Sequence, residues 1–172
     1  MTSSIDGNEN TKPEDNPWYL LATLYGQPSP DDTGLQERNR RSWNRYLSKK
    51  LLSIEDGRRF LLTSKGPQLS GDLAPFTDEA LAEISAAFTE RCIKANSIVT
   101  AGLPDIVLEN KIDLSKIVFG NCLIMKNFLF PVEVDFSKAI FKKEGCFKEA
   151  VFFDVAPAGL IEDVANFVVI DG

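Results

Sequence analysis

Residues Ala101 to Val155 divide into five consecutive blocks of eleven, AGLPDIVLENK, IDLSKIVFGNC, LIMKNFLFPVE, VDFSKAIFKKE and GCFKEAVFFDV. The third and eighth places of every block hold a large apolar residue: Leu103 and Leu108, Leu114 and Phe119, Met125 and Phe130, Phe136 and Phe141, Phe147 and Phe152. The anchors are therefore five and six residues apart in strict alternation. A self-similar period marks a stacked repeat, in which each unit buries its apolar face only against its neighbours. Neither the 3.6 period of a helix nor the alternation of a long strand gives this spacing. Short extended segments joined by tight corners do. Compact or hydrogen-bonding residues lie between the anchors, among them Asp113, Ser115, Gly120, Asn121, Asp135, Ser137 and Ala139, as corners require. The reading is a coiled β-solenoid with Phe and Leu inside and Lys and Glu outside.

The stretch VDFSKAIFKKEGCFKEAVF, residues 134 to 152, resembles the pentapeptide-repeat proteins, in the variant where two fives are joined by one extra residue. The resemblance covers about 55 residues and is weakest in the first and third blocks, which carry Pro104 and Pro131. It implies a right-handed quadrilateral β-helix whose central Phe or Leu points into the core. After Val155 the phase breaks, since Ala158 and Asp163 occupy the anchor slots. The fold class expected is α+β: a helical module followed by a short pentapeptide-repeat β-helix.

The first half divides into a tail and a helical module. Residues 1 to 16 lack periodicity and large apolar groups and are expected to be disordered. Residues 17 to 97 form the module. Trp18 to Tyr25 reads as a two-turn helix stopped by Gly26 and Pro28. Leu35 to Leu52 reads as a basic amphipathic helix, with Leu35, Trp43, Tyr46, Leu47 and Leu51 at roughly helical spacing. A short helix is expected around Asp56 to Leu62, followed by a loop at Gly66, Pro67 and Gly71. The next helix is capped by Thr77, favoured at its positive end by Asp78 and Glu79, and stapled by Phe76 onto Leu81. Its buried stripe is Leu81, Ile84, Phe88 and Cys92. A solenoid leaves an open end with unpaired strand edges, and the module is placed to cap it.

Residues 98 to 157 are the repeat, and 158 to 172 a C-terminal cap or dimerisation segment. Leu160, Ile161, Val164 and Phe167 form a short apolar face there. The run Phe167 to Ile170 has high strand propensity, and such a run pairs either with the last coil or with a second copy. The reading leans to a homodimer.

The strings NPWYLLATLYGQP, residues 16 to 28, and LQERNRRSWNRYL, residues 35 to 47, also resemble the leading region of some bacterial pentapeptide-repeat proteins. No activity comes with that resemblance. The chain is acidic, with net charge −6, yet eight basic residues fall between Arg38 and Arg59 against only Glu55 and Asp56. Such a cluster meets phosphates or an acidic partner. The candidate partner-binding residues are Arg38, Arg41, Trp43, Arg45 and Tyr46, since aromatics and Arg dominate interface hot spots. The competing reading is that the aromatics pack helices together and the charges form a solvated face.

Catalysis is disfavoured by what is missing. The chain has no histidine, which removes the commonest general base and the Ser-His and Cys-His pairs. No phosphate-binding glycine motif occurs. Cys92, Cys122 and Cys146 are an odd number with no close pair, read as reduced, packed thiols with neither disulfide nor zinc site. No cofactor is expected. No stretch approaches the roughly 18 to 20 apolar residues that span a bilayer, and the polar start MTSSIDGNENTKPEDNP does not read as a signal peptide. The expected setting is the cytoplasm.

The function read from these features is a non-catalytic protein-interaction module with an unidentified protein partner. The pentapeptide-repeat resemblance raises an alternative, mimicry of B-DNA to inhibit an enzyme such as DNA gyrase. Two and a half coils at about 4.8 Å per strand make a rod of only about 12 Å, however. The repeat's charge is nearly balanced, eight acids against seven lysines. Nucleic-acid binding through the basic helix is a further alternative.

Overall fold

The computed structural model describes residues 10–52, 77–143, 147, 150–153 and 168–170. The expected helix around Asp56 to Leu62, the loop at Gly66 to Gly71, Arg58, Arg59, Phe76, Cys146 and the apolar face from Leu160 to Phe167 lie outside them. So does the side chain of Phe152.

Among the described residues three α-helices precede the repeats. α1, Pro17–Ala22, starts where Asn16 accepts the backbone N–H groups of Trp18 and Tyr19 at 2.9 and 3.1 Å, with Pro17 in the first turn. All of its residues after Pro17 are buried. The chain then turns at Gly26, whose φ of 133° is open to glycine but costly for other residues. α2, Thr33–Leu52, is started by the Asp32 carboxylate, which accepts the Leu35 N–H at 3.1 Å. α3, Asp78–Lys94, is capped by Thr77, whose hydroxyl accepts the Ala80 N–H at 3.1 Å. Asp78 and Glu79 lie in its first turn and Arg91 and Lys94 in its last, as the helix dipole favours.

Among the described residues seven short strands follow. β1, Lys111–Asp113, pairs in parallel with β4, Glu133–Asp135; β2, Val118–Phe119, with β5, Ile140–Phe141; and β3, Leu129–Phe130, with β6, Val151–Phe153. Ile112 lies beside Val134, Phe119 beside Phe141 and Phe130 beside Phe152, in each case two blocks of eleven apart. The corners repeat as well. Lys116, Asn127 and Lys138 are left-handed, with φ of 58°, 59° and 59°, once per block. The Asp113 and Asp135 carboxylates accept the N–H groups of Ser115 and Ser137 at 3.0 and 2.8 Å, closing the Asp-x-Ser turns.

The expected quadrilateral β-helix is not what forms. The strands make two separate two-stranded parallel sheets and one of three, within a mixed fold of helices and short sheets. No closed β-helical wall occurs among the described residues. Two local features account for this. In the first block the Asp105 carboxylate accepts the N–H groups of Val107 and Leu108, and its carbonyl that of Glu109, so the chain winds into a turn where a strand was expected. Leu108 is left 79% exposed. At the other end, β7, Val168–Ile170, joins β6 with Val151 beside Val168, out of the eleven-residue phase. That pairing is within one chain, the capping alternative for this run.

Of the ten expected core anchors, Leu114, Phe119, Met125, Phe130, Phe136 and Phe147 are buried. Phe141 is half-buried and stacks on Phe119 at 4.9 Å, and Leu103 is half-buried. A second set completes the interior: Ile112, Leu123 and Val134 at the first place of their blocks, and Ile106, Ile117, Phe128 and Ala150 at the sixth. In an extended segment residues two apart face the same side, so the first and third places, and the sixth and eighth, enter together.

The expected disorder of residues 1 to 16 does not hold for 10–16. Thr11 forms a parallel bridge with Ile117, and Pro13–Asp15 make a 3-10 turn leading into Asn16. Their backbone finds partners on the edge of β2. Residues 1–9 lie outside the described part.

One charged pair belongs to this scaffold. Lys111 on β1 meets Asp135 on β4 at 2.8 Å. Burial works against the Asp135 charge, but hydrogen bonds from Lys111 and Ser137 outweigh it and bring the carboxyl down to about 2. A depressed carboxyl stabilises the fold above its unfolded pKa, and the contribution fades as pH falls through the folded one. Asp135→Asn is therefore less stable than wild type above about pH 5, and the difference closes towards about pH 2. Urea midpoints measured across that range check it.

Candidate interaction surfaces

The five residues expected to bind a partner do not form one surface. At 100° per residue, Trp43 and Tyr46 fall on one side of α2 and Arg38, Arg41 and Arg45 on the other. Trp43 is fully buried, edge-on to Trp18 at 6.2 Å and packed on Phe128 and Phe130 at 5.5 and 5.6 Å. Tyr46 is also buried, and its hydroxyl donates to the Pro104 carbonyl. Burial, with Asp105 adding, pushes the Tyr46 phenol up to about 12, so it stays a neutral donor. Both aromatics are core, and their expected place in a binding surface is corrected accordingly.

The outer face of α2 keeps the charges. Arg38 is exposed, its guanidinium 4.2 Å from the Tyr25 ring centre. Arg41, 61% exposed at its side chain, meets Glu37 at 2.5 Å. Arg45 is half-buried, and its Nε has no hydrogen-bond partner. Lys49, one turn on, reaches over the Tyr46 ring. These four follow one another at helical spacing along a single stripe.

The inner face of the helical segment does something the sequence reading did not find: it occupies the free edges of the first strands. The Trp43 Nε1–H donates to the Leu129 carbonyl at 2.7 Å. The Asn44 amide accepts the Leu129 N–H at 2.7 Å and donates to the Asn127 carbonyl at 3.0 Å. On β1, the Asn16 amide donates to Asp113 O at 2.8 Å. On β2, Thr11 N–H donates to Lys116 O at 2.9 Å. At the next corner the Gln27 amide donates to Cys122 O at 2.7 Å. Side-chain amides are the natural substitutes, because each offers a donor and an acceptor as a peptide group does. They satisfy the edge without presenting a new one.

Cys92 and Cys122 are free thiols, both partly buried, and burial pushes the Cys92 thiol up, away from the reactive thiolate. No group of three or more His, Cys, Asp or Glu side chains suited to a metal ion occurs among the described residues, and no helix there is long and apolar enough to cross a membrane. Comparison with protein-family models, with characterised proteins and with solved structures finds no match to this chain. The pentapeptide-repeat resemblance thus rests on the residues that carry it.

Proposed function

We propose that the protein is a non-catalytic interaction module that binds an acidic surface of a partner protein through the outer stripe of α2. The observation carrying this reading is the stripe itself: Arg38, Arg41, Arg45 and Lys49 stand on one face of a helix whose opposite face is anchored in the core, on a chain of net charge −6. A fixed row of cations on an acidic protein selects an acidic counterpart and repels basic ones. Guanidinium groups suit carboxylates because they bind them with two parallel hydrogen bonds. Free Cys92 and Cys122 fit a reducing compartment, the cytoplasm.

The test is affinity capture with tagged wild type and with Arg41→Glu/Arg45→Glu. The double variant should fold, since Arg41 is exposed and the Arg45 Nε gives up no hydrogen bond. Its captured partner should be lost, and the wild-type complex should weaken with salt. Equal capture by both proteins overturns the reading. The same stripe would meet phosphates, so retardation of DNA or RNA at about 50 mM salt with no protein captured would transfer the stripe to nucleic acid. B-DNA mimicry has less support, because its charge pattern and long rod are both missing from the short sheets.

A further inference from the structure

Away from α2, a cleft of about 640 Å³ opens between the Pro13–Asp15 turn and the C-terminal end of α3. That volume lies within the range of small-ligand sites, about 300–1,000 Å³. Four ionised side chains line it, Lys12 and Arg91 of one sign, Glu14 and Asp15 of the other. Opposite charges sharing a cleft ordinarily close on each other. Among the described residues no ion pair within 4 Å joins any of the four, so both signs of charge are left for a ligand.

The fixed groups are held from behind. Arg91 donates through Nε to the Thr23 carbonyl at 2.6 Å and through Nη2 to the Thr23 hydroxyl at 3.0 Å. Its Nη1 has no hydrogen-bond acceptor among the described residues, so one end of a pinned guanidinium is left for an anion. Asp15 spends Oδ1 on the Ile98 N–H at 3.2 Å and keeps Oδ2 unengaged. Gln27 is oriented by the Tyr19 hydroxyl and by its own bond to Cys122 O. Asn96 adds a polar side chain to the remaining wall. Ala95 and Ile98 complete it, and Ile98 is 77% exposed, a large apolar side chain that a ligand in the cleft would cover.

We propose that this cleft binds a short aliphatic peptide with both termini free, its carboxylate on Arg91 and Lys12, its ammonium on Glu14 and Asp15, and its apolar arms against Ala95 and Ile98. A zwitterion meets both signs of charge where a simple anion or cation would leave two like charges uncompensated. The volume accommodates two residues.

The experiment is titration of isotope-labelled protein with Leu-Leu dipeptide, read by NMR. Saturable shifts are expected at the Arg91, Asn96 and Ile98 amides, with Kd at or below about 1 mM. The same peptide acetylated and amidated at its ends should bind at least about tenfold more weakly, a loss of about 1.4 kcal/mol. Lys12→Gln and Glu14→Gln should each bring a comparable loss, with spectra away from the cleft unchanged. Lys12 is exposed, so its variant keeps the test intact if Glu14→Gln fails to fold. Absence of saturable shifts up to about 10 mM, equal binding of the capped peptide, or undiminished binding by a folded Lys12→Gln each overturns the proposal.

Discussion

Trp43→Ala lowers the stability of the whole protein by about 4 kcal/mol or more, the largest effect expected of any single change in α2. Trp43 has no exposed surface, and its ring joins the helices to the strands by meeting Trp18 on one side and Phe128 and Phe130 on the other. Removing a buried Trp side chain costs about 3–5 kcal/mol in transfer and cavity terms. The Leu129 carbonyl also loses its donor, and a buried polar group left without a partner costs about 1–3 kcal/mol. The two terms overlap because the cavity admits some water, hence a figure below their sum. Against the usual 5–15 kcal/mol of a domain, this is a large fraction. Trp43→Phe separates them: packing is mostly kept and only the bond is lost, so about 1–3 kcal/mol should go. Urea unfolding of both variants measures this, and Trp18, the other tryptophan of the chain, still reports by fluorescence. A loss below about 1.5 kcal/mol in Trp43→Ala would mean that the helices and strands hold together by other contacts.

How much of this was readable depends on the range of the interaction. The eleven-residue period is local, and it located six buried anchors and the spacing of the parallel pairs. It also showed Ile, Leu or Val at the first place of three blocks and Ile or Phe at the sixth place of three, but a reading with one anchor per segment assigned them no role. The α3 boundaries were legible because Thr77, Asp78 and Glu79 act within one turn. Leu108 failed for an equally local reason: the Asp105 side chain offers its backbone a turn that competes with a strand. The grouping of Trp43 and Tyr46 with the arginines failed on helical geometry already present in the spacing, since 43 and 46 share a face that 38, 41 and 45 do not. The closed β-helix failed because extrapolating a period assumes identical neighbours, whereas the first strands here meet helices and side-chain amides.

Those amides were the least legible part, for they act across more than eighty residues of sequence. An Asn in a helix reads as a mildly unfavourable surface residue. Asn44 is fully buried instead, and its side chain stands where the next strand's peptide group would be. Asn44→Ala leaves the Leu129 N–H and the Asn127 carbonyl without these partners, and at about 1–3 kcal/mol for each buried orphan the loss should be about 2–4 kcal/mol. Asn44→Leu fills the space but supplies neither bond, so it should not rescue. Asn44→Asp keeps an acceptor for Leu129 while placing a carboxylate against the Asn127 carbonyl, and it too should be destabilised. A purely steric role for Asn44 predicts the opposite order, with Leu the best tolerated. The decisive reading is local: hydrogen exchange at the Leu129 amide should accelerate in Asn44→Ala beyond what the global loss of stability explains, because that N–H has lost its acceptor in the folded state itself. In Trp43→Phe the same amide should follow global stability alone, since Trp43 bonds the carbonyl of Leu129 and leaves its N–H to Asn44. An unprotected edge also invites pairing with other chains. Asn44→Ala should therefore aggregate at concentrations where wild type stays monodisperse by light scattering, and Trp43→Phe, with Asn44 in place, should not.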